Sequence, residues 1–241
     1  MIHLIRHALR LAAAGVFVGT CLASPPPTQH TYTNINQMPG WENCDACAGR
    51  DGRGPRVPHS LTQHVTTPSV DGRSAKFNVG NGHPYTAALW WKQLGLQPNA
   101  SHFSYDFYFY IQNPDAVQAL EFDMNQSVAG HKFIFGHECS PRGSHQWDVW
   151  DGLHARWIPT GVSCTGLTPY HWHHVVFAAE RVGTRTHFIS VTLDGHTSYF
   201  NRFYTARPSG AHELNVAVQL DNNSRGVNYS LWADKINLNY W

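Results

Sequence analysis

Residues 102–112 read HFSYDFYFYIQ, a stretch in which apolar and polar side chains alternate without a break. Its apolar row consists of Phe103, Tyr105, Phe107, Phe109 and Ile111. The same alternation returns in ALEFDMNQ at residues 119–126 and in ELNVAVQLD at residues 213–221. A period of two over such lengths predicts antiparallel strands with one face in a core and the other turned outward.

Further segments bounded by Gly, Pro, Asn and Asp extend this pattern along the chain. They cover residues 75–79, 87–94, 131–138, 146–151, 172–181, 186–194, 196–205 and 229–240. No stretch of ten or more residues has a helical period, and the sequence shows no internal repeat. We therefore predict an all-β fold, a two-sheet antiparallel β-sandwich.

The composition supports this fold class and excludes others. Of 241 residues only 14% are charged, while 31 are aromatic and 17 are histidine. A disordered chain would be poor in aromatic residues and rich in charge, and helical bundles need many charged residues on their exposed faces. The formal net charge of +1 gives no basic footprint for nucleic acid, so we expect no nucleic-acid partner.

The first 23 residues have the pattern of a secretory signal peptide. Arg6 and Arg10 precede the apolar run 11–23, which is shorter than the roughly 20 residues that cross a bilayer. No later segment is long and apolar enough to serve as an anchor. We expect a secreted protein, extracellular or periplasmic, that is monomeric and associates with no membrane.

Four cysteines follow the predicted signal peptide, and export favours disulfide bonds between them. Of the three pairings that four cysteines allow, we favour Cys44–Cys47 and Cys139–Cys164. The alternatives are a redox Cys-x-x-Cys or half of a zinc site, but the sequence has neither a βαβ setting nor a second closely spaced pair. We predict a Pro/Gly-rich tail and disulfide loop over residues 24–58 and the sandwich domain over residues 59–241.

The outward rows of the predicted strands supply a candidate ligand-binding surface. They include Glu121, Asp123 and Asn125 on one strand, Gln146, Asp148 and Trp150 on another, and Asn215, Gln219 and Trp91 on two more. Carboxylates and amides bind sugar hydroxyls, and the face of a Trp ring covers the C–H face of a pyranose. The alternative is an ordinary solvated sheet face, although Asp and Asn are disfavoured in strands.

Three segments in the second half of the chain resemble a known superfamily. Trp172-His-His-Val-Val, Val191-Thr-Leu-Asp-Gly195 and the closing strand from Tyr229 look like the latter half of a laminin-G-type jelly roll. Over residues 75–241 the chain thus resembles the concanavalin A-like lectin/glucanase superfamily. The resemblance implies two curved antiparallel sheets, with glycans bound or cleaved on the concave face and often with a structural calcium ion.

The laminarinase-like hydrolases of this superfamily carry Glu-x-Asp-x-Glu or Glu-x-Asp-x-x-Glu, to which Glu121-Phe-Asp-Met-Asn-Gln126 is similar. The resemblance implies Glu121 as the nucleophile and Asp123 as its helper. An amide, Asn125 or Gln126, stands where the acid/base glutamate belongs, and an amide cannot donate a proton to the leaving oxygen. Asp148 or Asp123 could replace it. The Gln-x-His and Tyr-x-Lys motifs of the alginate-lyase-like members are not intact.

Two functions follow as hypotheses. The first is a secreted, lectin-like protein that recognises a polysaccharide on the concave face, with these ligand-binding residues: Trp91, Asn125, Gln126, Gln146, Trp150 and Gln219. The alternative is a glycoside hydrolase that cleaves a β-glycan with Glu121 and either Asp123 or Asp148 as the second carboxylate. We favour binding because the acid/base position holds an amide.

The histidines give weaker support to a further hypothesis, a metal site. His171 and His173 lie two residues apart on a predicted strand, and His187 on the next strand could complete a metal site. The scattered spacing of the other histidines is more typical of surface positions. We therefore predict no metal centre and no cofactor, and leave only the structural calcium ion open.

Overall fold

The computed structural model describes residues 28–45, 55–164 and 166–241, which fold into two antiparallel β-sheets. The predicted signal peptide lies outside the described residues. The strands in chain order are β1 (His30–Tyr32), β2 (Trp41–Cys44), β3 (His59–Val65), β4 (Ser74–Val79), β5 (Ala87–Gln93), β6 (His102–Ile111), β7 (Val117–Val128), β8 (His131–Cys139), β9 (Gln146–Asp151), β10 (Arg156–Ser163), β11 (His171–Val182), β12 (Arg185–Leu193), β13 (His196–Thr205), β14 (Arg207–Pro208), β15 (Glu213–Asn222) and β16 (Tyr229–Tyr240). Two short 3₁₀ helices span Ile35–Gln37 and Pro114–Ala116.

The two sheets draw their strands from both halves of the chain. The first has the order β13-β12-β11-β6-β16-β4-β3, and β1 pairs with β16. The second has the order β10-β9-β8-β7-β15-β5-β2, and β14 pairs with β8. Central neighbours such as β7 and β15 are far apart in sequence, as in a jelly roll. The predicted all-β sandwich of two antiparallel sheets is confirmed.

The apolar rows of the two sheets meet in an aromatic core. Phe107 of the first sheet and Phe122 of the second are both fully buried, and their ring centroids are 4.7 Å apart. Trp147 is likewise buried and packs edge-on against Phe177 at 5.3 Å. Burial of each such ring contributes roughly 1.5–3 kcal/mol to folding. Because the odd and even positions of a strand face opposite ways, this core turns the polar rows of β7, β8, β9 and β15 outward.

The segment expected to be an irregular tail contributes strands to both sheets. Within residues 24–58, β1 pairs with β16 of the first sheet and β2 pairs with β5 of the second. Between them Ile35 is completely buried in the core, and the Asn36 side chain accepts a hydrogen bond from the Ile236 amide at 3.0 Å. The expectation of irregular structure is therefore wrong for residues 30–44. The domain boundary at residue 59 remains a prediction.

Two strands that the alternation did not reveal lie at sheet edges. β3 is the last strand of the first sheet, and β10 is the last strand of the second. β10 contains Pro159 and Gly161, which are typical of edge strands because a proline cannot donate to a central ladder. Edge strands are half-buried at most, so their hydrophobic pattern is weak. Among the described residues, no helix is long and apolar enough to cross a membrane.

One of the two predicted disulfide bonds is confirmed. Cys139, at the end of β8, is bonded to Cys164, which directly follows β10, so the bond joins both ends of the segment that carries β9 and β10. Cys44 is also disulfide-bonded. Its predicted partner Cys47 lies outside the described residues, so the Cys44–Cys47 pairing remains a prediction.

Candidate functional site

The register of the second sheet places four polar side chains in one row across four strands. Gln219 of β15 is opposite Glu121 of β7, Glu121 is opposite Glu138 of β8, and Glu138 is opposite Asp148 of β9. Directly opposed residues have Cβ atoms about 4.5–5.5 Å apart, and like charges in such positions repel each other. Asp221 lies two residues from Gln219 on the same outward face.

The next row, on the same face, joins a carboxylate to two tryptophans. Asp123 is opposite Gly136 of β8, and Trp150 of β9 is opposite Trp157 of β10, with ring centroids 5.0 Å apart. A Cβ atom on Gly136 would lie only 3.0 Å from Trp150 Cβ and 3.1 Å from Asp123 Oδ1. Gly136 therefore lets the aromatic pair and the carboxylate approach each other over the sheet.

These two rows line an open groove on the outer face of the second sheet. Its volume is about 620 Å³, and it runs along β7 and β8 from Glu121 and Gln219 to Lys132. Trp150 and Trp157 form part of the wall. A smaller depression of about 240 Å³ shares Glu121, Trp157 and Gln219 with it and adds residues such as Glu138, Asp221 and Tyr85. The two depressions form one continuous surface.

Three carboxylates converge at one end of the groove. Each of Glu121, Glu138 and Asp221 offers an oxygen atom, and these atoms all lie within 4.8 Å of one another. The Gln219 amide donates to Glu121 and, at 3.1 Å, to Asp221. No described Lys, Arg or His forms an ion pair with any of the three. We call these three residues the acidic cluster. No positively charged side chain of the described residues neutralises it.

Burial and crowding raise the pKa values of these carboxyls. Burial, followed by repulsion from Asp221, raises the pKa of Glu121 well above its ordinary value and that of Glu138 to about 8. Burial raises the pKa of Asp221 to about 7, against hydrogen bonds from Glu121 and Gln219 that lower it. The acidic cluster consequently retains protons at neutral pH and offers a carboxylic acid beside a carboxylate.

The two other predicted carboxylates lie around this cluster. Burial raises the pKa of Asp123 to about 7, although the nearby Lys132 opposes the shift. The Asp123 Oδ1 atom is buried and has no hydrogen-bond partner among the described residues. Asp148 is buried, which raises its pKa, and it accepts a hydrogen bond of 2.7 Å from the Ser144 hydroxyl. Asp148 is therefore braced by its own hairpin.

The predicted ligand-binding residues divide into two groups. Asn125, Trp150 and Gln219 line the groove. Trp91 faces outward on β5, in the row of Asp123, but the buried Ala217 separates the two and Trp91 does not line the groove. Their binding roles remain predictions.

The side chains of Gln126 and Gln146 form hydrogen bonds to backbone groups outside the groove. No bulge interrupts the pairing of β7 with β8, so Gln126 faces inward, where its amide donates to the carbonyls of Gln97 and Ala100 at 2.8 and 3.0 Å. Placing Gln126 with the groove residues is therefore wrong, because the bulged form of the motif does not occur. Gln146 is outward, but its Oε1 atom accepts a 2.7 Å hydrogen bond from the Gly161 amide and braces β10.

The sequence interpretation missed Glu138, Asp221 and Trp157. Both carboxylates continue outward rows of predicted strands, since Phe133 and Phe135 face the core on β8, and Gln219 precedes Asp221 on β15. Strand parity alone would have added them to the candidate surface. Trp157 lies on an unpredicted edge strand, and the only signal was its position two residues after a turn-like Leu153-His-Ala segment.

The three histidines weighed as metal ligands do not form one site: the rings of His171 and His173 are neighbours, with centroids 5.3 Å apart, but His187 does not join them. His173 faces the core and its Nδ1 atom lies 2.7 Å from Asp194, whereas His187 lies on the outer face of the first sheet, 2.7 Å from Glu180. Ligands on opposite faces of a sheet cannot share an ion. Among the described residues, the acidic cluster is the group that could hold a divalent cation. Calcium takes six to eight oxygen ligands, so three carboxylates would need additional oxygens from water or a ligand.

Comparison with known proteins identifies the fold. No family model matches the chain, and no curated protein matches its sequence. A carbohydrate esterase from the Shiga toxin-encoding bacteriophage phi24B superposes with a TM-score of 0.50 at 12% identity, covering 86% of this chain and 96% of the esterase. An endo-β-1,4-glucuronan lyase from the fungus Trichoderma reesei (TM-score 0.49, 12% identity, 82% and 94% covered) and peanut lectin (0.49, 8%, 88% and 98%) are also similar. The jelly-roll fold that the resemblance implies is confirmed.

Proposed function

We propose that this protein binds a polysaccharide in the groove on the outer face of its second sheet. The observation that supports the proposal is the combination, in one groove, of the Trp150–Trp157 pair with a row of amide and carboxylate groups. Aromatic faces cover the apolar faces of sugar rings, and the polar row accepts and donates hydrogen bonds to their hydroxyls. An open groove along two strands suits a chain rather than a single sugar.

The test is a binding titration against a panel of soluble polysaccharide fragments, both neutral and acidic. Trp150→Ala and Trp157→Ala should each raise the dissociation constant at least tenfold, because each removes an aromatic face from the groove wall. Trp172→Ala is the matched control, since Trp172 lies on the first sheet, where its ring contacts Tyr110. Equal binding by the wild type and both groove variants would contradict the proposal.

The acidic cluster supports a second candidate function, a glycoside hydrolase that acts in the same groove. Retaining glycosidases place two carboxyl groups about 5–5.5 Å apart, one ionised and one protonated. One oxygen from each of Glu121, Glu138 and Asp221 lies within 4.8 Å of the others, so these carboxyl groups are close enough to share one glycosidic bond. In this candidate function the second carboxyl, which the sequence motif lacks, would come from Glu138 or Asp221 on a neighbouring strand instead of from Asp123 or Asp148.

The charge states in the cluster suggest how the roles would be divided. A raised pKa suits a proton donor. Burial and charge repulsion raise the pKa values of Glu121 and Glu138 furthest. Asp221 is hydrogen-bonded in its ionised form by Glu121 and Gln219, so it suits the nucleophile. In this scheme Asp221 attacks the anomeric carbon while Glu138 or Glu121 protonates the leaving oxygen, and water then cleaves the glycosyl ester.

Release of reducing ends from the same panel separates the two functions. If the protein is a hydrolase, Glu138→Gln and Asp221→Asn should lower the rate of release by at least a thousandfold while binding is retained, and the product should keep the anomeric configuration. Binding by the wild type without release from any polysaccharide would leave the carbohydrate-binding function alone.

A further inference from the structure

The groove is electrically polarised along its length. The acidic cluster lies at one end, and Lys132 and Arg207, which are directly opposite each other, line the other end; Arg156 lines the groove beside Trp157. Along β7 the two ends are six residues apart, from Glu121 to Ser127, the residue opposite Lys132. At the rise of a strand this is roughly 20 Å, about two Debye lengths at physiological salt, so a ligand meets the two ends as separate environments.

The basic end retains a positive charge after its internal ion pairs are taken into account. Lys132 pairs with Glu213 at 3.2 Å, and Arg156 lies 3.4 Å from the buried Asp151. Arg207 is exposed on β14, directly opposite Lys132, and forms no ion pair with a described acidic residue. A guanidinium presents a planar fork of donors that matches a carboxylate or a sulfate with two parallel hydrogen bonds.

The floor of the groove between the two ends contains a side-chain oxygen that accepts no hydrogen bond from the described residues. Asn125 is 9% exposed and lines the groove, and its side-chain nitrogen donates to Asn215 at 3.1 Å. Its oxygen is buried without a partner among the described residues. An unsatisfied buried acceptor costs about 1–3 kcal/mol, and a sugar hydroxyl lying along the groove could supply the missing hydrogen.

We infer that the groove recognises an acidic polysaccharide, with an anionic group of one sugar, a carboxylate or a sulfate ester, held at Arg207 beside Lys132, and with a hydroxyl of the adjoining ring on Asn125. The inference rests on the proposed function, because it names the class of polysaccharide for the same groove. The carboxylate that stays ionised in the acidic cluster repels anions at the opposite end, so the charge pattern also favours the basic end for the anionic sugar. A neutral segment would then lie across the acidic cluster.

Paired ligands that differ only in charge test this inference. The probes are a polyuronate oligosaccharide and its carboxyl-reduced form, and a sulfated galactan oligosaccharide and its desulfated form, each titrated at low and physiological salt. For at least one pair the anionic form should bind the wild type about tenfold more tightly, the factor expected from one charge-assisted contact. The pair that shows the preference identifies the anionic group.

Variants then locate the preference. Arg207→Gln should reduce the ratio of the two dissociation constants to about one, and Arg207→Lys should restore part of it. Arg202→Gln, an exposed arginine on β13 of the other sheet, is the matched control and should keep the wild-type ratio.

The outcomes also distinguish this inference from the proposed function. Equal affinity of the wild type for charged and neutral forms, or an unchanged ratio in Arg207→Gln, would overturn the inference while the polysaccharide-binding function stands. Failure to bind any glycan of the panel, neutral or charged, would overturn both.

Discussion

At the scale of single residues, Gly136 determines the shape of the groove. It is the residue between Asp123 and Trp150, and its missing side chain leaves the space in which the carboxylate and the tryptophan pair approach. The neighbouring outward positions on β8 carry Ile134 and Glu138, so a small residue at 136 is a local exception in the row. The groove floor depends on that exception.

We expect Gly136→Ala to disturb the site without unfolding the protein. The added methyl group would lie 3.0 Å from Trp150 Cβ and 3.2 Å from Trp157 Cη2, and overpacking of this kind lowers the free energy of unfolding by about 1–3 kcal/mol. Urea unfolding and the near-UV circular dichroism of the tryptophan pair would measure the change. Gly210→Ala is the control, because nothing lies within 4 Å of its added methyl group. Identical behaviour of the two variants would contradict the packing described at Gly136.

At the scale of elements, the N-terminal segment contributes to the sandwich and is not a loose tail. Ile35, in the 3₁₀ helix between β1 and β2, is completely buried in the core. Asn36 accepts from the Ile236 amide at 3.0 Å and donates to the Arg73 carbonyl at 3.1 Å. These contacts join residues 30–44 to the centre of the first sheet. The strand β2 then extends the second sheet beyond β5.

Because this segment packs into the core, shortening one buried side chain in it should lower the stability of the whole protein. Ile35→Ala should lower the free energy of unfolding by about 2–5 kcal/mol, the usual range for removing a buried Ile side chain. Glu42→Ala, at an exposed position of β2, should stay within about 0.5 kcal/mol of the wild type. Chemical denaturation with intact disulfides measures both. A change in Ile35→Ala as small as in the control would mean that the segment is not part of the core.

At the scale of the whole molecule, the few carboxylates divide into two populations. On the second sheet Glu121, Glu138 and Asp221 gather in the acidic cluster without described cationic partners, whereas Glu213 and Asp151 pair with Lys132 and Arg156. Those of the first sheet bind histidines: Glu180 contacts His102 and His187 at 2.9 and 2.7 Å, and Asp106 contacts His174 at 2.8 Å. The abundance of histidine is therefore explained in part by these pairs.

The free energy of unfolding should be greatest at mildly acidic pH and should fall both as the pH rises and as the pH falls from there. For Glu138, burial raises the pKa from 4.5 to about 8, so between these values the folded chain holds a proton that the unfolded chain has released. The free energy of unfolding then falls as the pH rises through this window. For His137, burial lowers the pKa from 6.5 to about 3. The unfolded chain binds that proton first, and the free energy falls as the pH falls through this second window.

Two variants separate these contributions. Glu138→Gln should flatten the decline above about pH 5 and raise the free energy of unfolding at pH 8 by on the order of 2 kcal/mol. His137→Phe should flatten the decline on the acid side, because the ring already stacks on Phe177 at 4.0 Å and its Nε2 atom has no described partner. Urea unfolding at pH 4, 6 and 8 measures all three proteins. Curves that run parallel to the wild type would contradict the assigned protonation states.

The sequence by itself determined the fold class and most strand positions. Alternation is a local property, so Phe103 to Ile111 and Leu120 to Met124 predict their faces without knowledge of any neighbour. It also determined that Glu121, Asp123, Asn125 and Trp150 face outward, and it selected Cys139 and Cys164 as partners. It was weak where local patterns are weak, at the edge strands β3 and β10 and in residues 30–44, whose burial depends on sheets formed by distant residues.

Only the tertiary structure decided which strands distant in sequence are neighbours. Glu121 and Glu138 are seventeen positions apart in the chain, and Asp221 is a hundred positions from Glu121, yet β8, β7 and β15 lie side by side and bring their oxygens within 4.8 Å. Strand order follows from how two whole sheets pack on one core, which no single strand encodes. The acidic cluster and the basic end at Arg207 therefore exist only in the folded molecule, because each is assembled from strands that meet through long-range pairing. The Trp150–Trp157 pair is a local contact across the β9–β10 hairpin, and it becomes a groove wall because β9 pairs with β8.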